Sequence, residues 1–147
     1  MPKVLGLHHA AISVTDMDRA VAFYGGILGF EKTRDFTSSG FGFEQATHLP
    51  GVMARVVWLE KAPNVLELFQ FINPKPRRME EFRVCDHGFT HIGFLVDDIF
   101  AMYDECVKKG VRFNTPPAGK GNKTTCYLQD PDGNIVEFMQ MQEQKKG

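Results

Sequence analysis

Apolar and polar residues alternate in two segments of the chain that match one another. Residues 7–16 align with residues 89–98 at a constant offset of 82, without a gap. Alternation of this kind predicts a β-strand with one buried face. Each strand is followed by apolar residues at helical spacing, over about residues 17–24 and 99–109. Acidic residues precede both segments and glycines follow them, so each half begins with a strand, a turn and a helix.

A second match closes each half of the chain. Residues 65–70 align with residues 135–140 at an offset of 70, and turn-forming sequences precede both segments. The offset is smaller because the first half is longer. Its extra residues fall within 36–50, a stretch rich in Gly, Ser and Phe in which we expect a loop. The order of elements is therefore βαβββ, twice.

The repeat predicts an α+β fold within one domain, since 147 residues is an ordinary domain length. Module 1 covers about residues 5–72, a connector rich in proline and charge covers 73–87, and module 2 covers about 88–142. We expect the two βαβββ modules to form a curved, cup-shaped mixed sheet with the helices on its convex side.

Charge and composition narrow the functional classes. With 17 basic and 18 acidic residues, the chain has a net charge of -1 and no strong field to attract nucleic acid or an anionic membrane. It has no apolar run near the roughly 20 residues of a membrane span, and its N-terminus lacks the apolar stretch of a signal peptide. We therefore expect a cytoplasmic protein with neither partner. Three cysteines without CxxC spacing favour reduced thiols over disulfides or a thiolate metal site.

Four side chains with metal-binding chemistry lie at repeat-equivalent positions. His9 matches His91 in the opening strands, and Glu67 matches Glu137 in the closing strands. Side chains alternate across a sheet, so the larger apolar residues should face the helices and leave these four on the concave side. A carboxylate among apolar neighbours is costly to desolvate unless it has a partner, and a cation is a suitable partner.

Two imidazoles and two carboxylates form a mixed site suited to one divalent ion, whether Zn, Ni, Co, Mn or Fe(II). A lone His or Glu on a strand is more often an ordinary surface residue, but four at equivalent positions favour a metal. His8 competes with His9 for this role. The repeat selects His9, because His8 aligns with Thr90 and has the helix-facing parity of Ile12.

Both halves contain motifs of a known superfamily. These are H-x-x-I-x-V from His9, a helix ending in FY with ILGF after it, then ELFQ, HIGF-x-VDD and DPDGNIVEF. Over roughly residues 5–142 the chain resembles the vicinal-oxygen-chelate superfamily, which includes glyoxalase I, methylmalonyl-CoA epimerase, extradiol dioxygenases and bleomycin-binding proteins. The resemblance implies the same fold, the same metal site, and a lyase or isomerase of the glyoxalase I or acyl-CoA epimerase type.

The reaction class follows from what these relatives share. In these enzymes the metal binds carbonyl oxygens of a small 2-oxo or thioester compound. It stabilises the enediolate or enolate that forms when the adjacent carbon loses a proton. A carboxylate side chain takes up and returns that proton. The resemblance implies that Glu137 is the base, whereas Glu67 is a ligand, a second base, or both. One alternative is an extradiol-type Fe(II) dioxygenase, although Glu67 occupies a position that such an enzyme needs open. Another is a non-catalytic antibiotic-binding protein of the bleomycin-resistance type.

Candidate substrate contacts lie around the predicted cup. Arg34 follows the LGF motif where, by resemblance, glyoxalase I has an arginine for its glutathione substrate. Phe41, Phe43 and Phe69 are candidates for an apolar pocket wall. Lys120 is a second cation for a substrate carboxylate or phosphate.

Self-association is also expected. Each half is a curved sheet with exposed edges, which a homodimer would cover. We expect all four ligands to come from one chain, because the connector is long enough to fold the halves together. The alternative is the arrangement of glyoxalase I, which pairs halves across its dimer.

Overall fold

Two β-sheets form the framework of the protein, one in each half of the chain. The computed structural model describes residues 1–77 and 85–141, and the chain divides into two compact units, Met1–Arg78 and Met79–Gly147. The first unit contains β1 (Ala10–Ser13), α1 (Met17–Tyr24), β2 (Glu31–Ser39), α2 (Phe41–Thr47), β3 (Met53–Lys61) and β4 (Asn64–Asn73). Its strands lie in the order β1-β4-β3-β2, with β1 parallel to β4 and the other neighbours antiparallel.

The second unit repeats this arrangement. It contains β5 (Ile92–Leu95), α3 (Ile99–Lys108), β6 (Arg112–Phe113), β7 (Ala118–Lys120), β8 (Lys123–Gln129) and β9 (Ile135–Met141). Its strands lie in the order β5-β9-β8-β6, with β5 parallel to β9, while the short β7 pairs with β8. The predicted α+β fold with two βαβββ modules is confirmed, with one added helix in the first module and one added strand in the second.

Equivalent side chains begin the first helix of each unit. Asp16 accepts a hydrogen bond from a backbone N–H of α1, and Asp98 accepts from two backbone N–H groups of α3. Glutamines of the closing strands also hold these turns. Gln70 donates to the carbonyl of Thr15, and Gln140 accepts from the first N–H of α3. The helices in the described ranges are short, and none is long and apolar enough to cross a membrane.

The buried apolar residues of the strands alternate as the sequence predicts. Helix α1 packs on β3 and β4, and α3 packs on β9. The buried residues of the opening and closing strands include Ile12, Leu66, Leu68, Val136 and Phe138. Alternation therefore places Glu67 and Glu137, which lie between buried residues, on the face away from the helices.

The extra stretch of the first half contains a helix besides the expected loop, which includes residues 48–50. Strand β2 continues to Ser39, and helix α2 follows it after Gly40. Tertiary contacts stabilise this short helix despite its glycines. The Phe43 ring stacks on Phe69 at 6.3 Å between centroids, and Glu44 Oε1 accepts a hydrogen bond from the Gly51 backbone N–H at 3.1 Å.

A network of charged side chains ties β2 to β3 and to α1. Arg55 Nε and Nη2 donate to the two carboxylate oxygens of Asp35 at 3.0 and 2.9 Å, and Arg55 Nη1 donates to Asp18 at 2.9 Å. Lys32 Nζ donates to Asp35 at 3.0 Å. The hydrogen bonds from Arg55 hold the pKa of Asp35 well below its ordinary value, although burial opposes them.

The substitution Asp35→Asn should lower the free energy of unfolding by about 1 kcal/mol at neutral pH, the scale of a well-formed but partly exposed pair. Since the folded pKa of Asp35 lies below its unfolded value, its stabilisation is complete above the unfolded pKa and is lost as the pH falls through the folded pKa. The difference between parent and variant should therefore be constant above about pH 5 and shrink below about pH 4.

Urea unfolding at a series of pH values measures this difference. Asp18→Asn is the matched control, because the Asp18 side chain is 84% exposed and makes one bond to Arg55. We expect a smaller loss for the control. A parent–variant difference that stayed undiminished at about pH 2 would be inconsistent with the lowered pKa.

Candidate metal centre

His9 and Glu67 face each other in the first unit. Glu67 lies on β4, and His9 immediately precedes β1, the parallel neighbour of β4. The His9 Nε2 lies 3.3 Å from the Glu67 Oε2, and the two side chains are 38% and 13% exposed. The parallel pairing of the opening and closing strands therefore brings the two predicted residues of this half together.

The second unit contains the equivalent pair with a more deeply buried carboxylate. The His91 Nε2 lies 3.2 Å from the Glu137 Oε2, and the Glu137 side chain is 8% exposed. Gly93 lies opposite Glu137 in the pairing of β5 with β9. A Cβ at Gly93 would lie 3.4 Å from the Glu137 Oε2, so the missing side chain leaves space beside the carboxylate.

An aromatic residue of the neighbouring strand lies opposite each glutamate. Trp58 pairs with Glu67 across β3 and β4, and its Nε1–H donates to the Glu67 Oε1 at 2.8 Å. Tyr127 pairs with Glu137 across β8 and β9, and its ring centroid lies 5.4 Å from that of His91. Burial raises the pKa of Tyr127, and the nearby negative charge of Glu137 raises it further, so the phenol keeps its proton.

The residue before each histidine contacts the other ring nitrogen. The His8 Nδ1 lies 2.9 Å from the His9 Nδ1, and the Thr90 Oγ1 lies 2.9 Å from the His91 Nδ1. If His9 and His91 carry their protons on Nδ1, these neighbours accept them and each Nε2 keeps a lone pair directed at its glutamate. Such an outer contact is typical of a metal-bound histidine.

The predicted helix-facing orientation of His8 is wrong. Its ring lies 5.9 Å from that of Trp58, which also contacts His9, so both histidines approach the same tryptophan. Strand β1 begins only at Ala10, and strand alternation therefore does not extend back to His8. The repeat nevertheless places His9, and not His8, beside Glu67.

The donor spacing in each pair fits a divalent ion. Two donors held about 2.1 Å from one ion lie about 3.0 Å apart in octahedral and about 3.4 Å apart in tetrahedral coordination. The two Nε2–Oε2 separations, 3.3 and 3.2 Å, lie in this range. Within residues 1–77 and 85–141, no group of three or more His, Cys, Asp or Glu side chains is close enough to hold an ion. Each unit contains one His–Glu pair with this spacing.

The buried thiols do not add a ligand to these pairs. Cys106 and Cys126 are free and buried, and burial raises the pKa of Cys126 to about 11. Cys126 pairs with Phe138 across β8 and β9, so strand alternation places its side chain on the opposite face of the sheet from Glu137.

The predicted substrate contacts fall into three groups. Arg34 lies on β2 with its guanidinium 4.5 Å from the centre of the Trp58 ring, so it adjoins the Glu67 pair. Phe43 stacks on Phe69, as described above, whereas Phe41 is 77% exposed on α2. The backbone of Lys120 lies in β7, but its side chain falls outside the described residues.

The sequence interpretation missed four side chains around the glutamates and histidines: His8, Thr90, Trp58 and Tyr127. The repeat is the signal for His8 and Thr90, which align at the offset of 82. Trp58 and Tyr127 lie in the apolar runs before each closing strand, and each pairs with the glutamate of its own half. The two aromatics are 69 residues apart and the two glutamates 70, so the offset of the closing strands does not align the aromatics.

The comparison with known families agrees with this arrangement. The family model of the Glyoxalase/Bleomycin resistance protein/Dioxygenase superfamily matches residues 6–138. The chain belongs to this superfamily. The resemblance found in the sequence motifs is thereby confirmed.

The chain is also similar to individual relatives in sequence and to a solved structure in fold. The chain is 28% identical over 146 residues to a lactoylglutathione lyase of Pseudomonas putida, an alignment that covers 90% of this chain and 83% of that protein. It is 28% identical over 144 residues to a probable lactoylglutathione lyase of Synechocystis, covering 95% and 98%. A glyoxalase family protein from Bacillus cereus has a similar fold, with a TM-score of 0.88, 19% identity and 97% coverage of both chains.

Proposed function

We propose that the protein is a divalent-metal-dependent enzyme that transfers a proton on the carbon next to a metal-bound carbonyl group. The observation that carries this proposal is the pair of equivalent His–Glu contacts, at 3.3 and 3.2 Å, in the two units. In each pair the carboxylate is the more buried partner, and the Glu67 carboxylate already accepts a hydrogen bond from Trp58. A bound cation would neutralise these two carboxylates and so offset the cost of burying their charge.

The residues proposed to hold the ion are His9, Glu67, His91 and Glu137. Their imidazole and carboxylate donors suit Zn, Ni, Co, Mn or Fe(II), and four protein ligands leave positions for substrate on an ion with expanded coordination. When bound, the ion would polarise the substrate carbonyl and stabilise negative charge on its oxygen.

Glu137 is the proposed base of the reaction. Its carboxylate takes the proton from one carbon and returns it to the neighbouring carbon, so that a 2-oxo hemithioacetal becomes a 2-hydroxy thioester and no oxidant is consumed. The hydroxyl proton of the first carbon passes to the oxygen of the second. The 8% exposure of the Glu137 side chain limits competition from water. Glu67, whose Oε1 accepts the Trp58 N–H, is proposed as a ligand, a second base, or both.

A glutathione-linked 2-oxo compound is the substrate that we propose first. The name lactoylglutathione lyase, which both sequence relatives carry, supports this class. Arg34 next to Trp58 is a suitable cation for a carboxylate of such a substrate. Phe43 and Phe69 supply an apolar surface on the same unit. A 2-methyl-branched acyl-CoA is the second compound to test.

A homodimer is the proposed assembly. Large apolar side chains are exposed just before or within the opening strand of each unit: Leu5, Leu7, Phe89 and Leu95. Their exposure, from 74% to 99%, is unusual for leucine and phenylalanine and favours cover by a second copy. We further propose that the four ligands of one site come from one chain.

Exchange of substrate hydrogen with solvent deuterium tests the reaction class. The metal-loaded protein should incorporate deuterium at the carbon next to the carbonyl in the hemithioacetal of methylglyoxal and glutathione, or in a 2-methyl-branched acyl-CoA, without O₂ or reductant. Exchange should stop when a chelator removes the metal and return when the metal is restored.

Two other results would replace the proposal. Fe(II)-dependent O₂ consumption with ring opening of a catechol, and no exchange on any carbonyl compound, would indicate a dioxygenase. A ligand that stabilises the protein against unfolding but is neither exchanged nor oxidised would indicate a binding protein.

A further inference from the structure

The two carboxylate oxygens of Glu67, the proposed glutamate ligand of the first unit, have different surroundings. The Glu67 Oε2 faces the His9 Nε2 at 3.3 Å, whereas the Glu67 Oε1 accepts the Trp58 Nε1–H at 2.8 Å. Tyr127 occupies the cross-strand position of Trp58 in the second unit, opposite Glu137. An aromatic residue with a hydrogen-bond donor therefore lies opposite each glutamate, although the two aromatic residues differ.

We propose that Trp58 and Tyr127 are positioning residues of the metal centre, each holding one oxygen of its glutamate so that the other oxygen is presented to the ion. This inference rests on the proposed metal site. It concerns the residues that set the affinity and geometry of that site, and neither aromatic residue is itself a ligand.

The rotational freedom of a glutamate explains why such a donor is needed. The terminal torsion of Glu has broad, roughly two-fold minima, so an unrestrained carboxylate samples several orientations and can bind an ion through one or both oxygens. A hydrogen bond to one oxygen selects a single orientation and leaves one oxygen for the ion. Outer partners of this kind typically change metal affinity by about 10- to 100-fold.

Packing fixes the donor of the first unit in place. Trp58 pairs with Arg34 on β2 and with Glu67 on β4, so the three side chains form a row across the sheet. The Arg34 guanidinium lies 4.5 Å from the centre of the Trp58 ring. One side chain thus contacts both a proposed ligand and the cation proposed to bind substrate. The indole N–H is a donor only and does not titrate, which makes it a permanent constraint on Glu67.

In the second unit, the Tyr127 ring contacts the proposed histidine ligand. Its centroid is 5.4 Å from that of the His91 ring in an edge-to-face arrangement, and Tyr127 lies opposite Glu137 in the pairing of β8 with β9. The ring therefore limits the orientation of the imidazole, and the proposed role of the hydroxyl is to limit that of the carboxylate. Substitution by phenylalanine would remove the second constraint alone.

The first test measures Zn²⁺ affinity by competition with a chromophoric chelator. Tyr127→Phe removes only a hydroxyl group, whereas Trp58→Phe removes the indole N–H together with part of the ring, and both keep an aromatic ring on the strand. Each variant should weaken Zn²⁺ binding by about 10- to 100-fold. Tyr103→Phe is the matched control. Tyr103 lies on α3 and contacts Phe113, so loss of its hydroxyl should leave the affinity unchanged.

A double-substitution cycle separates positioning from a general effect on the fold. Trp58→Phe should weaken Zn²⁺ binding in the parent and in Glu137→Ala, but have little further effect in Glu67→Ala, because the oxygen that it holds is already absent. Tyr127→Phe should weaken Zn²⁺ binding in the parent and in Glu67→Ala, but have little further effect in Glu137→Ala. A purely structural role would reduce affinity equally in all three backgrounds.

The visible spectrum of the Co²⁺-loaded protein adds a readout of ligand geometry. We expect both aromatic variants to change the ligand-field bands while the metal-free proteins unfold at temperatures close to the parent. The His91→Ala variant is the reference that should lose Zn²⁺ binding. If it does, while both aromatic variants bind Zn²⁺ within about threefold of the parent and keep its Co²⁺ bands, the positioning role is overturned. A parent protein that bound neither ion would instead overturn the metal site together with this inference.

Discussion

Glu137→Gln should slow hydrogen exchange between substrate and solvent by about 100-fold or more, the usual effect of removing a general base. The amide has nearly the size of the carboxylate but cannot accept the proton at neutral pH. The Glu137 side chain is 8% exposed, so a water molecule cannot readily take its place as the base. Deuterium incorporation, followed by NMR or mass spectrometry at saturating substrate, measures the rate.

The rate must be expressed per bound ion, since Glu137 is also a proposed ligand and the variant is expected to bind metal more weakly. Glu105→Gln provides the matched control, because Glu105 is exposed on α3. Its exchange rate should equal that of the parent. If Glu137→Gln exchanged hydrogen as fast as the parent at equal metal occupancy, another residue would have to be the base.

His91→Ala should lose most of its bound metal. A four-ligand structural zinc site contributes about 10 to 16 kcal/mol, so one ligand accounts for roughly 3 kcal/mol, or a loss of about 100-fold or more in affinity. Elemental analysis after dialysis against a weak chelator measures the bound ion, with close to one per chain expected in the parent. His87→Ala, an exposed histidine of the connector, should retain the metal. Full occupancy in His91→Ala would remove this residue from the ligand set.

A mixture of two variants tests whether one chain supplies the whole site. Co-expressed His9→Ala and His91→Ala chains should form dimers without an intact site if all four ligands come from one chain. If sites are shared across the dimer, random mixing restores one site in half of the dimers, which is about a quarter of the parental metal. Recovery of that amount would contradict the single-chain arrangement.

The sequence predicts the fold well because its repeat constrains strands and helices together. The offset of 82 residues locates both opening strands and the helices that follow them, and the offset of 70 residues locates both closing strands. The helix starts follow from Asp16 and Asp98, whose side chains accept backbone hydrogen bonds where predicted. Local chemistry and apolar spacing agree at these positions, and such agreement makes an element predictable.

Helix α2 could not be predicted from local pattern. Its sequence contains Gly42 and follows Gly40, and glycine disfavours helix. The helix forms because Phe43 stacks on Phe69 and Glu44 accepts from the Gly51 N–H, contacts with residues well beyond it in the chain. Among residues 85–141 the second half has no helix equivalent to α2, so the repeat does not predict it.

The His–Glu pairs were predictable from strand parity, but the surrounding donors were not. Parity places Glu67 and Glu137 on one face of each sheet, whereas Trp58 and Tyr127 reach them only through the register of the third strand with the fourth. That register depends on the turns between the strands. The two turns differ in length. In the first half, Lys61 pairs with Asn64 across a short turn. In the second half, Gln129 pairs with Ile135 across a longer turn, in which the Asp130 carboxylate accepts hydrogen bonds from Asn134.

X-ray absorption at the zinc edge of the Zn²⁺-loaded protein tests the central claim most directly, because it reports the atoms bound to the ion. We expect only nitrogen and oxygen neighbours at about 2.0 to 2.2 Å, with outer scattering from two imidazole rings. The imidazole contribution should fall to one ring in protein with either His9→Ala or His91→Ala, loaded at high zinc. A sulfur neighbour at about 2.3 Å, or two imidazoles that persist in both variants, would contradict the proposed site.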